Sequence, residues 1–457
     1  MKPLLAVRLL AFALGGTHGR VRLQAASYAQ ERGHPGNYHG PPVALIVQKY
    51  GGTSVADPER MKAVAEQIAY TRRQGNDVVA VVSAMGKTTD NLLALADQVS
   101  RTKPGREMDM LLTTGERQSM ALLCMALADL GVDAVSFTGS QVGIITDNVF
   151  GKARILEVKG DRVREALADG KVAVVAGFQG VSLEKEITTL GRGGSDVTAV
   201  ALAAAFSADT CEIYTDVTGV FSADPRIVPS ARKLAHVSYE EMLEISATGG
   251  RVLMLRSVEF ARNHRVPLHV RSSFTWEPGT WVIEEAPVVE EPIISAVTHD
   301  VSEAKVTVRA VPDKPGISAT LFEPLAAANV NVDMIVQNVS KDGLTDISFT
   351  VPKLDMAVAE RIVADVADEI GAGEAVHDAD IAKVSLVGAG MKTSPGIAAK
   401  MFRVLADADV NIEMISTSTI RISCVVAAAD MEKAVRSLHT AFGLDGDAYT
   451  SPLPERR

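Results

Sequence analysis

The sequence predicts an α/β protein: a three-layer αβα sandwich with a mainly parallel sheet, followed by two ferredoxin-like βαββαβ modules. Two observations predict this fold. Apolar strands alternate with helices over residues 44–280, which is typical of a parallel sheet covered on both faces. Beyond a linker rich in Pro and Glu, one pattern of strand, turn, helix and strand occurs twice. The 457 residues are enough for two or three domains.

Local patterns place the elements of the first region. Asp57-Pro58-Glu59 has the features of a helix start, with an N-cap, a proline at the first helical position and a first-turn acid. Short apolar runs with polar or glycine boundaries predict strands. We expect strands at Ala44–Gln48, Asp77–Ser83, Val132–Thr138, Val172–Ala176, Cys211–Thr215 and Leu268–Arg271, and helices from Asp57 to Gln74, over Thr113–Leu130 and over Thr198–Ser207.

The repeat in the second region predicts the two small modules. Three segments of the first copy recur in the same order in the second copy, including a Pro-Gly turn before a helix. A period this long, in only two copies, does not fit a solenoid. The matching segments are Ala304–Val308 with Ala382–Leu386, Pro315–Ile317 with Pro395–Ile397, and Leu325–Ile335 with Leu405–Ile415.

These patterns divide the chain into five parts. Residues 43–283 form the α/β domain, 284–300 the linker, 301–378 the first module and 379–448 the second. Residues 1–42 contain an apolar start interrupted by an arginine and then a polar stretch rich in Gly and Pro. We expect 1–42 to be a disordered or non-native N-terminal extension, with Val43 as the native first residue.

Composition excludes several classes of function. The formal net charge of −10 makes nucleic acid an improbable partner, and we expect no membrane partner either. The cysteines Cys124, Cys211 and Cys424 are sparse and odd in number, which argues against a disulfide framework and favours a reducing compartment, the cytoplasm. Neither CxxC nor HExxH occurs, so the sequence predicts no protein-ligated structural metal.

Two glycine-rich turns are candidate anion sites. Gly191–Asp196 lies between a predicted strand and a predicted helix, and Lys49–Ser54 follows the first strand. A glycine turn at a helix N-terminus presents free backbone N–H groups, which favour phosphate. The guanidinium of Arg192 adds a fork suited to a carboxylate or a phosphate. We expect both turns to reach one crevice at the carboxyl ends of the strands.

The chain lacks the P-loop pattern and the protein-kinase motifs, so a phosphate site must be built differently. Lys49 lies where it would neutralise a transferring phosphoryl group, and the alternative is a solvated lysine at a strand end. Glu116 follows Thr113-Thr114-Gly115 at a predicted helix start, where it either binds a substrate ammonium group or only favours the helix dipole. Asp196 is a helix cap, an orienting partner of Lys49, or a residue that assists the metal.

Several motifs in order resemble the aspartokinases of the amino acid kinase family. The repeat resembles their two C-terminal ACT domains, including Gln337-Asn338 and Ser416-Thr417-Ser418, and the resemblance runs from Val43 to about Leu444. The motifs are Lys49–Ser54, Ser83–Asp90, Thr114–Glu116, Phe137–Gly139, Gly177–Gly180, Gly191–Asp196 and Tyr214–Arg226.

The resemblance implies the amino acid kinase fold and ATP-dependent phosphorylation of the β-carboxylate of L-aspartate, with Mg²⁺ held mainly through ATP and no metal site of protein residues. It implies catalytic roles for Lys49, Glu116, Arg192 and Asp196. The implied aspartate site contains Thr89, Glu116, Phe178, Arg192 and Ser195. The implied ATP site contains Lys49, Gly51, Gly52, Ser83, Gly194, Thr215, Asp216, Phe221, Asp224, Arg226 and Arg251.

The resemblance also implies feedback control through the ACT domains, by threonine and lysine as effectors. It implies a homodimer through these domains, or a tetramer with a shorter subunit. The implied effector residues are Asp313, Gly316 and Gln337 in the first module, and Asn411, Ile412 and Ser418 in the second.

Three residues depart from the family pattern. Arg251 replaces a usual lysine, Phe221 a common tyrosine, and Thr419 a usual glutamate after Ser-Thr-Ser. Two alternative functions stay open: an ACT-type amino-acid sensor without catalysis, and a related kinase that acts on another carboxylate. Retention of Lys49 and Arg192 argues against the sensor.

Overall fold

The structure, a computed structural model, describes residues 22–23, 43–284, 294–338 and 343–446. Nearly all of the predicted extension 1–42 lies outside the described residues, as do 285–293 of the predicted linker and 447–448 of the predicted second module. The prediction for 1–42 therefore stays a prediction. The two residues that are described within it form a short strand.

The described residues form strands and α-helices in the following chain order. The strands are β1 (Arg22–Leu23), β2 (Leu45–Tyr50), β3 (Asp77–Val82), β4 (Ala134–Phe137), β5 (Ile144–Thr146), β6 (Ile155–Val158), β7 (Val172–Ala176), β8 (Gln179–Ser182), β9 (Ile187–Thr189), β10 (Thr210–Thr215), β11 (His236–Ser238), β12 (Leu268–Ser272), β13 (Thr280–Ile283), β14 (Ala296–Asp300), β15 (Glu303–Pro312), β16 (Ile335–Gln337), β17 (Leu344–Pro352), β18 (Ala375–Asp378), β19 (Ile381–Val387), β20 (Met414–Thr417) and β21 (Arg421–Ala427). The α-helices are α1 (Pro58–Arg73), α2 (Thr88–Val99), α3 (Gly105–Asp129), α4 (Gly139–Val142), α5 (Asp161–Ala168), α6 (Gly194–Ala205), α7 (Tyr239–Ala247), α8 (Leu255–His264), α9 (Ile317–Ala327), α10 (Met356–Ile370), α11 (Ile397–Asp407) and α12 (Met431–Ala441).

An eight-stranded sheet is the centre of the first domain, in the order β11-β13-β12-β10-β2-β3-β7-β4. Neighbouring strands are parallel except β12 and β13. Helices α1 and α3 cover one face of this sheet, and α6, α7 and α8 cover the other. The predicted three-layer αβα sandwich with a mainly parallel sheet is confirmed. A smaller mixed sheet, β1-β6-β5-β8-β9, was not predicted from the sequence.

Two helices show where local sequence signals predict the start of a helix correctly and where they do not. Asp57 caps α1 as predicted, because its carboxylate accepts the N–H of Arg60 at 2.9 Å. Helix α3, in contrast, begins at Gly105 and not at Thr113. Thr113 and Thr114 look like residues of a helix start, but their hydroxyls donate back to carbonyls of the preceding helical turn, so the helix passes through them.

The two small modules have four-stranded antiparallel sheets. The first has the order β16-β17-β15-β18 and contains its own six elements. The second has the order β14-β19-β21-β20, so its outer strand comes from the segment before the first module. The linker predicted over 284–300 is therefore corrected at its end: Ala296–Asp300 pair with β19, and Val297 is buried in the core of the second module.

The two modules share local conformation and equivalent contacts, as the repeat predicts. Gly316 and Gly396 precede α9 and α11 with φ of +91° and +93°, a conformation that favours glycine. The contacts between the modules also follow the repeat. Lys305 of the first module pairs with Glu413 of the second, and Lys383 of the second pairs with Asp333 of the first.

Candidate active site

The first glycine turn lies at the carboxyl ends of neighbouring strands of the main sheet, whereas Gly191–Asp196 follows β9 of the smaller sheet and not β7 as predicted. The N–H of Gly51, after β2, donates to the carbonyl of Tyr214 in β10 at 3.4 Å. The N–H of Ser83, after β3, donates to the carbonyl of Tyr50 at 3.1 Å, and that of Gly177, after β7, to the carbonyl of Val82 at 3.0 Å. The loops after β2, β3, β7 and β10 thus form one crevice, where open α/β sheets bind ligands.

A buried ion pair links the two turns. Lys49 Nζ lies 2.6 Å from Asp196 Oδ1, and the side chains are 12% and 8% exposed. Lys49 comes from β2, and Asp196 from the first turn of α6. Lys49 is therefore no solvated lysine at a strand end, and Asp196 orients it in addition to its place at the helix start. The helix is preceded by Gly193 in a left-handed conformation.

Close approach explains why glycine occupies two of these positions. A Cβ on Gly52 would lie 2.9 Å from the carbonyl oxygen of Ala84, and a Cβ on Gly177 would lie 2.7 Å from Ser195 Oγ. Both distances are shorter than real Cβ contacts. The first contact joins the turn after β2 to the loop after β3, and the second joins the loop after β7 to the start of α6.

Glu116 is buried beside the same loop. One carboxylate oxygen, Oε1, accepts the N–H of Ala84 at 3.2 Å. Within the part of the chain that the structure describes, the other oxygen, Oε2, has no hydrogen-bond partner. Burial raises the pKa of Glu116 to about 7. Because Glu116 lies in the middle of α3, its interpretation as a first-turn residue that favours the helix dipole is wrong.

Phe178 and Arg192 lie on either side of the α6 start. Phe178 has a φ of +69°, and its N–H donates to Thr198 Oγ1 at 3.1 Å. A Cβ on Gly194 would lie 3.0 Å from the Phe178 ring, so the turn and the ring pack closely. Arg192 is exposed at the tip of its turn, and Thr89, in the first turn of α2, is half-buried.

A second group of predicted residues lines a cavity of about 650 Å³. Within it Arg226 makes a bidentate contact with Asp224, at 3.0 Å from Nε to Oδ1 and 2.6 Å from Nη2 to Oδ2. Arg226 holds the pKa of Asp224 below its usual value. The predicted ATP-site residues that line this cavity are Thr215, Asp216, Phe221, Asp224, Arg226 and Arg251.

Sequence reasoning missed one wall of this cavity. It is formed by Val297–Val301, which belong mainly to β14. Burial lowers the pKa of His299 in this wall. Nothing in the local sequence indicates this wall, because β14 reaches the cavity through its pairing with a strand of the second module. The other predicted ATP-site residues, Lys49, Gly51, Gly52, Ser83 and Gly194, belong to the crevice and its turns.

The predicted effector residues differ between the modules. Asp313, Gly316 and Gln337 line one cavity of about 490 Å³ in the first module, where Ser318 Oγ donates to Gln337 Oε1 at 3.2 Å. In the second module Asn411 is exposed, and Ile412 packs against the hydrophobic core. Ser418 Oγ donates to Glu244 Oε1 of α7 at 2.9 Å, so it contacts the first domain.

The described residues contain neither a metal-binding cluster nor a membrane-spanning helix. Over 43–284, 294–338 and 343–446, no group of three or more His, Cys, Asp or Glu is arranged to hold a metal ion. In the same ranges no helix has both the length and the apolar character needed to cross a membrane.

Comparison with known proteins gives consistent matches over most of the chain. The model of the amino acid kinase family matches residues 44–272, and that of the ACT domain matches 306–366 and 384–442. The aspartokinase of Mycolicibacterium smegmatis is 56% identical over 411 residues, which are 89% of this chain and 97% of that protein. The aspartokinase of Corynebacterium glutamicum is 54% identical over 411 residues, with the same coverage.

Solved structures agree with these matches. The aspartate kinase of Synechocystis is 48% identical, with a TM-score of 0.50, and the match covers 90% of this chain and 70% of that one. Aspartokinase III of E. coli, in complex with aspartate and ADP, has a TM-score of 0.73 at 24% identity, which shows the shared fold. That match covers 87% of this chain and 99% of the other.

Proposed function

Because the chain belongs to the amino acid kinase family and, within it, to the aspartokinases, we propose that it transfers the terminal phosphoryl group of ATP to the β-carboxylate of L-aspartate. The product is 4-phospho-L-aspartate, the first intermediate toward lysine, threonine and methionine. One observation carries the proposal at the level of the site. The loop at Ala84 contacts both Gly52, in the same turn as Lys49, and Glu116, so the candidate phosphate-binding turn lies close to a buried carboxylate whose Oε2 has no partner among the described residues.

The chemistry needs positioning and charge neutralisation more than proton transfer. A carboxylate nucleophile is already ionised at neutral pH, since the unperturbed pKa of an aspartate side chain is about 3.9. No general base is required. The barrier is lowered by alignment of the carboxylate with the phosphoryl group and by positive charge on the transferring oxygens.

Lys49 supplies that positive charge. Asp196 fixes its ammonium group beside Gly51, since a Cβ on Gly51 would lie 3.4 Å from Lys49 Nζ. The glycines let the phosphates approach the backbone closely, and the N-terminus of α6 adds the positive end of its dipole. Gly51, Gly52, Ser83 and Gly194 then hold the phosphates.

The aspartate site follows from complementary charges. Glu116 receives the substrate ammonium group, because Oε2 is buried without a partner among the described residues and a cation would satisfy it. Arg192 receives a substrate carboxylate through its guanidinium fork. Thr89, Phe178 and Ser195 complete the site.

The nucleotide occupies the 650 Å³ cavity beyond the crevice. A volume of this size suits a nucleotide-sized ligand. Mg²⁺ fits there as a companion of the ATP phosphates, since the exposed Asp216 offers the oxygen donors that it prefers, and when bound it supplies further neutralisation of phosphate charge. We also propose feedback control by threonine and lysine through the ACT domains, with assembly as a homodimer or as a tetramer with a shorter subunit. Three unpaired cysteines are in keeping with a reducing cytoplasm.

The test is acyl-phosphate formation, trapped as the hydroxamate with hydroxylamine in the presence of ATP and Mg²⁺. L-Aspartate, L-glutamate and N-acetylglutamate are compared, each with and without threonine plus lysine. Of the three substrates, we expect only L-aspartate to give product. We expect threonine plus lysine to suppress this product. Product from another substrate would replace aspartate in the proposal. Absence of product with retained binding of threonine or lysine would favour the amino-acid sensor.

A further inference from the structure

The segment 221–232 belongs to two parts of the molecule at once. On one side Phe221, Ala223 and Asp224 line the proposed nucleotide cavity. On the other side Ala223, Ile227 and Val228 are buried in the hydrophobic core of the second regulatory module, together with Leu438 of α12. The conformation of the residues that line the cavity is therefore coupled to the packing of the same segment in the second module.

A series of buried hydrogen bonds connects the segment 221–232 to helix α12. Ser222 Oγ lies 2.8 Å from His439 Nε2, and His439 Nδ1 lies 3.0 Å from Asp445 Oδ1. Ser222 and His439 are both 0% exposed. The backbone N–H of Arg232 donates to Ser222 Oγ at 3.0 Å, and the carbonyl of Ser222 accepts the N–H of Val297 in β14 at 2.7 Å.

The direction of the hydrogen bonds follows from the acceptor at the end of this series. The carboxylate of Asp445 only accepts, so the neutral imidazole of His439 donates from Nδ1 and accepts at Nε2. Ser222 therefore donates its hydroxyl proton to His439 and accepts from Arg232. The hydroxyl and both ring nitrogens are then satisfied, as expected for a buried network that fixes one conformation.

The order of serine, histidine and aspartate is that of hydrolytic enzymes, but this group does not perform such chemistry. A nucleophilic serine must reach a substrate, whereas Ser222 and His439 have no exposed surface. The network instead fixes the position of Ser222 and so of the residues next to it in the sequence. Ser222 lies directly between Phe221 and Ala223, two residues of the nucleotide cavity.

We infer that His439 is a positioning residue for the nucleotide: through Ser222 it holds the segment 221–226 in the conformation that binds ATP. This inference rests on the proposed function. It makes the last helix of the second regulatory module a structural part of the nucleotide site, although none of the described residues of that helix lines the cavity. Loss of the bond between Ser222 and His439 then weakens nucleotide binding more than it weakens aspartate binding.

Two substitutions in the full-length chain separate the two bonds of His439. In His439→Asn the shorter amide still reaches Asp445 but not Ser222. In His439→Gln the longer amide still reaches Ser222. We expect His439→Asn to raise the dissociation constant of ADP, measured by calorimetry, and the KM for ATP by roughly tenfold, the loss of one buried hydrogen bond. The KM for aspartate stays unchanged, and His439→Gln shows a smaller effect.

The control is a serine in the same module that makes the same kind of bond elsewhere. Ser423 Oγ lies 2.7 Å from Ser385 Oγ, and both serines are fully buried. Ser423→Ala should leave ADP binding unchanged. Equal ADP affinity in wild type and His439→Asn, or an equal loss in Ser423→Ala, would overturn the inference alone. A wild-type chain that binds no ADP would overturn the proposed function and this inference with it.

Discussion

Lys49 and Asp196 are both charged groups in a nearly closed environment, so each stabilises the other. Removal of one leaves an uncompensated buried charge, which costs about 3–5 kcal/mol. In Lys49→Met we expect kcat to fall on the order of 10²–10³-fold, because the transferring phosphoryl group loses its positive partner. Steady-state kinetics and thermal unfolding measure the two effects.

The double variant Lys49→Met with Asp196→Asn distinguishes catalysis from stability. It removes both charges, so much of the lost unfolding free energy should return. Turnover should stay low, since the positive charge is still absent. Recovery of turnover in the double variant would remove Lys49 from the chemical step.

Glu116 contributes to stability in a pH-dependent way. Its pKa is about 7 in the folded protein against 4.5 for the ordinary side chain, so the folded state binds a proton more tightly. The resulting stabilisation is fully present below pH 4.5 and is lost as the pH rises through about 7. The physical cause is burial, which disfavours the charged carboxylate.

The same pKa predicts how aspartate binding depends on pH. Below about pH 7 Glu116 is protonated and attracts an ammonium group only weakly, so the KM for aspartate should rise as the pH falls. In Glu116→Gln this dependence should disappear, and the KM at high pH should be roughly 10–100-fold higher, the loss of one charged hydrogen bond. An unchanged pH profile in the variant would exclude the proposed role.

Residues beside glycine turns were predictable from sequence, whereas their surroundings were not. Lys49 and Asp196 adjoin motifs that indicate a phosphate site. Nothing in the sequence shows that Glu116 lies in mid-helix, because the back-bonding of Thr113 and Thr114 is a feature of the folded helix. The Ser222–His439 bond joins residues far apart in sequence, so no local pattern indicates it.

Helix α7 contacts the second module through polar side chains. Glu244 accepts from Ser418 Oγ at 2.9 Å and lies 3.1 Å from Arg421 Nη1. The residues after α7, Gly249 and Gly250, line the proposed nucleotide cavity. The helix is therefore placed to transmit a shift of the module to the nucleotide.

We expect Glu244→Gln to weaken this transmission. The concentrations of threonine and lysine that halve the activity should rise roughly tenfold, within the range typical of allosteric coupling. Glu240→Gln, at an exposed position of the same helix, is the matched control. Unchanged inhibition in Glu244→Gln would show that the signal takes another route.

At the scale of elements, prediction succeeded where a signal and its effect are close in sequence. Asp57 and the apolar run after it determine α1 locally. The strand β14 was not predicted, because Ala296–Asp300 follow a Pro/Glu-rich stretch and find their partner only after the whole first module. The small sheet of β1, β5, β6, β8 and β9, whose strands have two to four residues each, was not predicted either.

For the whole molecule, the repeat offers an internal comparison of two related ion pairs. Lys383 is 1% exposed and lies 2.5 Å from both Glu303 and Asp333. These carboxylates raise the pKa of Lys383 against the effect of burial. The corresponding Lys305 and Glu413 are 21% and 23% exposed.

We expect Lys383→Met to lower the free energy of unfolding by about 3–5 kcal/mol, because two carboxylates lose a buried partner. Lys305→Met should cost less, because Lys305 keeps more contact with water than Lys383 and leaves one carboxylate without its partner where Lys383→Met leaves two. Denaturant unfolding of the full chain, followed by hydrogen exchange in β15 and β19, measures both. Equal losses would mean that solvent reaches the two pairs alike.

The crossed-over strand β14 has a consequence for synthesis on the ribosome. It emerges before the first module, yet β19 is translated only after that module is finished. During this interval the backbone N–H and C=O groups of β14 have no partner strand. Once β19 is translated, β14 must pair with its free edge. A polypeptide translated from a start beyond Asp300 would carry the whole first module and still leave the second one short of a strand.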